Sequence, residues 1–210
     1  LKNNRFYFNT FFRNHDAGIE LYEYWGKDID YPTLVDNKFV NNIFSESNLD
    51  GDHLAFLIDG SRELDRSNLI YRNLLSGSTD DFVFKFGKPE GLVLTLFEAE
   101  KKYPGQIFDN LAFDPGFVDA AQDDFRLKPG SRAIDAGIPL ARAFETAKGK
   151  VIKVTDAAFF YDGFGIPGET GDELMIGPDR QLARVTGRDL KTNILTLDRE
   201  VAVAKGAAVT

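Results

Sequence analysis

Phe6-Tyr7-Phe8-Asn9-Thr10-Phe11 returns as Phe39-Val40-Asn41-Asn42-Ile43-Phe44, as Ile70-Tyr71-Arg72-Asn73-Leu74-Leu75 and as Ile107-Phe108-Asp109-Asn110-Leu111-Ala112. In every copy an apolar residue stands three positions before the asparagine and a small or apolar one two after. The asparagines lie 33, 31 and 37 residues apart. A second asparagine sits five positions earlier in the first three copies, at Asn4, Asn37 and Asn68, and Gly105 takes its place in the fourth. Such a period without a helical face argues for coils of short strands stacked on one another, and against paired helices.

The stretches between the asparagines alternate at period two. Ile19 and Leu21, then Leu54, Phe56 and Ile58, then Phe82, Phe84 and Phe86 are separated by polar or smaller residues, the pattern of strands with one buried face. The fold expected is all-β: a right-handed parallel β-helix. An inward asparagine at a tight corner can then bond the turn backbone and its stacked neighbours, so the four asparagines are expected to form one internal ladder.

Composition fits that reading. The 210 residues are 43% hydrophobic, with nineteen Phe against one Met and one Trp, which suits stacked aromatic interiors. A net charge of −8 and a pI near 4.9 leave no basic stripe to neutralise phosphates, which argues against nucleic-acid and anionic-membrane partners. There is no Cys, no N-terminal signal pattern and no N-x-S/T sequon, and no apolar run approaches the ~18 residues of a membrane span. The first residues already read as mid-coil. They are expected to abut upstream coils or another chain, because a bare solenoid end exposes apolar interior and strand edges.

Beyond Asp109 the pattern changes. Asp114-Pro-Gly-Phe-Val-Asp119, followed by Asp124-Phe-Arg-Leu-Lys-Pro-Gly-Ser-Arg-Ala-Ile-Asp-Ala-Gly137, resembles the closing segment of secreted bacterial right-handed β-helix proteins, relatives of chondroitinase-B-type and alginate lyases among them. The likeness covers residues 1–137 as architecture and implies the C-terminal portion of such a protein, extracellular or at the cell surface. It carries over no catalytic residue, since nothing here matches the lyase constellations residue by residue. Within the segment, Pro129-Gly130 reads as a turn, Ser131 as the cap of one helical turn, Ile134 as an inward residue and Gly137 as the stop. Together they are expected to seal the last coil.

Residues 138–149 read as a linker and 150–210 as a second unit. There, short runs at Val151–Val154, Phe159–Tyr161, Glu173–Gly177, Ala183–Val185, Asn193–Leu197 and Ala207–Val209 suggest a small antiparallel β-barrel-like module.

Chemistry is written more faintly. Stacking would bring Asp16, Asp50 with Asp52, and Asp80 with Asp81 toward one edge as an acidic column. Asp50, Asp52, Asp80 and Asp81 are the candidate ligands of Ca²⁺, with solvated acidic turns and general acid–base work as alternatives. Glu20, Tyr22, Tyr24 and Trp25 alternate outward beside Arg13, and together these five are the candidate polysaccharide-binding residues. Aromatic faces stack on sugar C–H surfaces while Glu and Arg bind hydroxyls and carboxylates; equally, Tyr24 and Trp25 could simply cover a loop. His15, His53 and Lys85 have no assigned partner. The insert from Gly87 to Gln106 reads as a strand followed by a loop or short helix over the groove.

Two classes of function follow. One is a secreted carbohydrate-active protein that binds polysaccharide, with cleavage of lyase or glycosidase type left open. The other is a non-catalytic solenoid, such as a surface adhesin or a phage tailspike-like stalk.

Overall fold

A computed structural model describes residues 1–22, 34–46, 54–59, 67–76, 82–87 and 91–210. The chain is all-β and divides into two compact units, Leu1–Ile138 and Pro139–Thr210. Among the described residues, no helix is long and apolar enough to cross a membrane.

The first unit repeats three short strands. They are β1 (Arg5–Tyr7), β2 (Thr10–Phe12) and β3 (Ile19–Tyr22), then β4 (Lys38–Val40), β5 (Ile43–Ser45) and β6 (Phe56–Asp59), then β7 (Leu69–Tyr71), β8 (Leu74–Leu75) and β9 (Phe82–Phe86). After β10 (Leu92–Thr95) and helix α1 (Leu96–Lys102) come β11 (Ile107–Phe108) and β12 (Leu111–Ala112). Each strand pairs in parallel with its counterpart one repeat away, giving the orders β1-β4-β7-β11, β2-β5-β8-β12 and β3-β6-β9. The register aligns the sequence copies residue for residue: Phe6 faces Phe39 and Phe39 faces Ile70.

That register dictates the core. Equivalent side chains stand one strand spacing apart, roughly 4.8 Å, so aromatic copies meet face to face. The rings of Phe6 and Phe39 are 4.7 Å apart and 3° from parallel, and Phe11 and Phe44 repeat the distance. Phe56 and Phe84 continue the pattern from the third sheet at 5.3 Å. All six belong to or pack against one cluster that also holds Leu21, Ile58, Ile70 and Ile107.

The corner between the first two strands of each repeat has a backbone signature. Phe8, Asn41, Arg72 and Asp109, each just before a ladder asparagine, have φ between 54° and 56°. One left-handed residue followed by an extended one bends the chain sharply and turns the asparagine side chain inward. Only Asn41 and Asp109 are residue types that tolerate this conformation well.

The insert after β9 closes the stack instead of lying over a groove. Strand β10 pairs antiparallel to β9, and α1 buries Leu96 and Ala99 in the core cluster beside Phe86 and Tyr103. The helix begins at Thr95, whose hydroxyl accepts from the Glu98 N–H while Glu98 returns a bond to the Thr95 N–H, a reciprocal cap that fixes its first turn.

The segment expected to seal the last coil runs back along the flank. The hairpin of β13 (Phe117–Asp119) and β14 (Asp124–Leu127) places the Phe125 ring 5.1 Å from that of Phe12, in the first repeat. Pro129-Gly130 forms the expected turn, with the Ser131 N–H bonded to the Lys128 carbonyl and Gly130 at φ 82°. Ser131 Oγ accepts from the Ala133 N–H. Two expectations fail. Ile134 is 46% exposed, and the left-handed stop is Asp135, at φ 55°. Gly137 instead permits close approach, since a Cβ there would lie 3.2 Å from the Asn41 side-chain oxygen.

The second unit is one antiparallel sheet of β15 (Ala141–Arg142), β16 (Ala147–Lys153), β17 (Glu173–Ile176), β18 (Gln181–Asp189), β19 (Ile194–Val203) and β20 (Ala208–Val209). Its order is β15-β20-β17-β18-β19-β16. The two edge strands meet through an antiparallel bridge between Ala143 and Val154, so the sheet closes on itself at that corner. Strand β15 and the start of β16 lie inside the stretch expected to be linker. Phe159, expected in a strand, ends a 3-10 turn at Ala157–Phe159. Ile152, Leu174, Ile176, Leu195, Leu197 and Val209 fill the interior.

Candidate functional site

Four asparagines form a continuous internal column. Asn9 gives its N–H (3.1 Å) and its Nδ2 (3.0 Å) to Asn42 Oδ1. Asn42 does the same to Asn73, and Asn73 to Asn110. The second Nδ2 hydrogen goes to the backbone one repeat back: Asn42 to the Phe6 carbonyl, Asn73 to Phe39, Asn110 to Ile70. Every polar atom of the buried Asn42 and Asn73 side chains is thus satisfied. Asn4, Asn37 and Asn68 build a parallel column by the same rule. The first column ends on helix α1, where Glu100 Oε1 accepts from the Asn110 N–H at 3.0 Å and from its Nδ2 at 3.4 Å. These asparagines are structural.

Outside the corner, the left-handed residues have work of their own. The Asn41 side chain pairs with the Ile138 backbone in both directions, giving Nδ2–H to its carbonyl at 2.8 Å and accepting its N–H at 3.0 Å. Arg72 Nε reaches the Ala136 carbonyl at 2.8 Å. Neither role was visible in the sequence, because the partners are 97 and 64 residues away.

The outward side of the third sheet is the candidate glycan face. Glu20, Leu57 and Lys85 are aligned by the parallel register of β3, β6 and β9, and Val93 of β10 follows Lys85. Glu20 is exposed and Lys85 half-buried. Leu57, between them, is buried with Ala17 and Leu54 in a small cluster apart from the main core. Two strand spacings separate the charged pair, roughly 9.6 Å.

Of the other predicted binding residues, Arg13 is exposed at the end of β2. Its Nε pairs with Glu46 Oε2 at 2.8 Å and its guanidinium lies 4.9 Å from the Phe12 ring centre, so the fold holds it against the next repeat and not against Glu20. Tyr22 is the last residue of β3, and its side chain, like Tyr24 and Trp25, lies outside the described residues. So do Asp50, Asp52, Asp80, Asp81 and His53. Asp16 is exposed and meets His15 Nδ1 at 3.3 Å. Among the described residues, no cluster of three or more His, Asp or Glu could hold a metal.

The strongly shifted carboxylates lie away from the repeats. The Arg126 side chain pulls Asp124, in the hairpin, down to about 2. In the second unit Asp198 is also held at about 2, by Arg199 first and by the Arg184 N–H next. Burial, reinforced by Glu169, Asp162 and Asp172, raises the Tyr161 hydroxyl.

Comparison with family models, with curated proteins and with solved structures finds no match to this chain.

Proposed function

We propose that the first unit winds as a right-handed parallel β-helix, and that the chain is part of an extracellular bacterial protein that binds polysaccharide along its third sheet. The observation that carries this reading is the register that sets Glu20 and Lys85 in line across the third sheet, two strand spacings apart with buried Leu57 between them. A charged pair at a multiple of the strand spacing suits a linear, periodic polymer. Lys85 would bind a uronate carboxylate and Glu20 would accept from sugar hydroxyls. Tyr22, Tyr24 and Trp25, in and just beyond β3, would supply the stacking faces, and Asp50, Asp52, Asp80 and Asp81 the Ca²⁺ that bridges an acidic glycan to an acidic protein.

Calorimetric titration against neutral and uronate-containing polysaccharides, with and without Ca²⁺, tests this directly. Binding should weaken about tenfold in Trp25→Ala and severalfold in Lys85→Ala. New unsaturated uronate ends would mark a lyase and new reducing ends a glycosidase; binding without either marks an adhesive scaffold. No binding to any glycan overturns the reading.

A further inference from the structure

The asparagine columns have a direction. Each asparagine gives its N–H and Nδ2–H to the Oδ1 of the next repeat and receives the same pair from the repeat before. At the α1 end the last donors are consumed by the Glu100 carboxylate. At the opposite end the polarity is reversed. Asn4 and Asn9 spend their donors on Asn37 and Asn42 and on the Lys2 and Tyr7 carbonyls, and neither Oδ1 accepts a hydrogen bond from the described residues. Strands β1, β2 and β3 are the last members of their sheets among the described residues, and Phe6 and Phe11 stack on one face only, against Phe39 and Phe44.

We propose that this end is a docking surface for one further parallel coil of the protein's own design, whose corner asparagines donate to Asn4 and Asn9. The chemistry selects the occupant. A second copy docking head to head would set acceptor against acceptor, because both ends present Oδ1. A second copy docking head to tail would have to offer its α1 end, where Glu100 already holds the donors and the helix covers the core. A coil that continues the same winding brings two N–H groups to each Oδ1, adds strands in register to β1 and β2, and lays side chains on the open faces of Phe6 and Phe11. This inference is independent of glycan binding.

The test extends the full chain ahead of Leu1 with a copy of residues 34–66, which carries Asn37 and Asn42, and compares it with the same extension bearing Asp at both positions. Amide hydrogen exchange at residues 6–12 should slow at least about tenfold with the asparagine coil, and much less with the aspartate coil, whose carboxylates face Asn4 and Asn9 as further acceptors. Residues 107–112 and 139–210 report that both proteins remain folded. A second extension, copied from residues 1–33, repeats the comparison with Asn4 and Asn9. Equal protection by the asparagine and aspartate coils would overturn the proposal, as would failure of both asparagine extensions to protect residues 6–12. So would a sedimentation-proven dimer of the unextended chain in which these amides are already slow.

Discussion

The two units solve the same problem, a β-sheet core, with different hydrogen bonds. In the repeat unit the chain must turn inside corners between sheets, and partners along each column are 31 to 37 residues apart. The turn backbone cannot reach water there, so asparagine side chains meet its needs and lock each repeat to the next. In the second unit the strands run antiparallel, and β17, β18 and β19 are joined by local turns. The turn between β18 and β19 is closed by Asp189 Oδ1 accepting from the Lys191 and Thr192 N–H groups, and the interior is built on Leu195, Leu197 and Ile176, with Asp156 its one buried polar residue among those described. Parallel stacking of repeats therefore makes columns of polar side chains part of the core, whereas the antiparallel sheet keeps most of them at its rim.

Asn73→Ala should break the comparison most severely. It removes the acceptor for two buried donors of Asn42 and the donor to the Phe39 carbonyl and Asn110 Oδ1. At roughly 1–3 kcal/mol per orphaned buried group, the loss should be about 4 kcal/mol. Denaturant unfolding with exchange-resolved readout should place that loss in residues 1–138 and leave the second unit unchanged.

Leu195→Ala is the reciprocal probe. Leu195 is fully buried on β19, and truncation should destabilise the second unit by about 3 kcal/mol through lost burial and a cavity. Exchange should rise only between residues 139 and 210. A change in residues 1–138 would mean that the units do not unfold independently.

Why the columns were legible and their surroundings were not follows from the same contrast. A side chain that bonds its own copies must recur in the sequence, so the frame around Asn9, Asn42, Asn73 and Asn110 announced itself, and Phe6 with Phe39 announced the stacked core. The corner position of Asn41 and Arg72 recurs, but its residue type does not, and Glu100 has no counterpart in the other repeats. Each acts on a partner placed by the path of a single segment, and period-based reading has no access to that path. Ile134 was misread because a helical turn on a flank has no buried side to find. Phe159-Phe160-Tyr161 has the composition of a strand, yet Asp156 caps a 3-10 turn by accepting from the Ala158 N–H, and local capping overrides propensity. On the third sheet, the outward placement of Glu20 was legible from alternation, but its alignment with Lys85 needed the register.

Glu100 sharpens the comparison at the place where the polar column ends. Asn110 is only partly buried, so Glu100→Ala lets water replace the carboxylate and should cost about 1–2 kcal/mol, less than Asn73→Ala. Glu100→Gln keeps an acceptor oxygen and should cost under about 1 kcal/mol. If the two variants are equally destabilised, the carboxylate acts by its charge and not as the terminal acceptor.

The smallest effect expected is on the acid limb of the second unit. Asp198 sits at about 2 instead of 3.8 in the folded protein, because Arg199 and the Arg184 N–H favour its ionised form. A carboxylate lowered on folding contributes stability that is complete above its ordinary value and disappears as the pH falls through the folded one. Melting of the second unit should therefore soften between about pH 4 and pH 2. The pair is solvent-exposed and screened, so the slope should be shallow. Arg199→Ala should move the Asp198 titration, followed by carboxyl NMR, back toward 3.8 while leaving the Asn9–Asn110 column untouched. A titration that stays near 2 in this variant would assign the shift to the Arg184 N–H and to the strand geometry, and not to the neighbouring guanidinium.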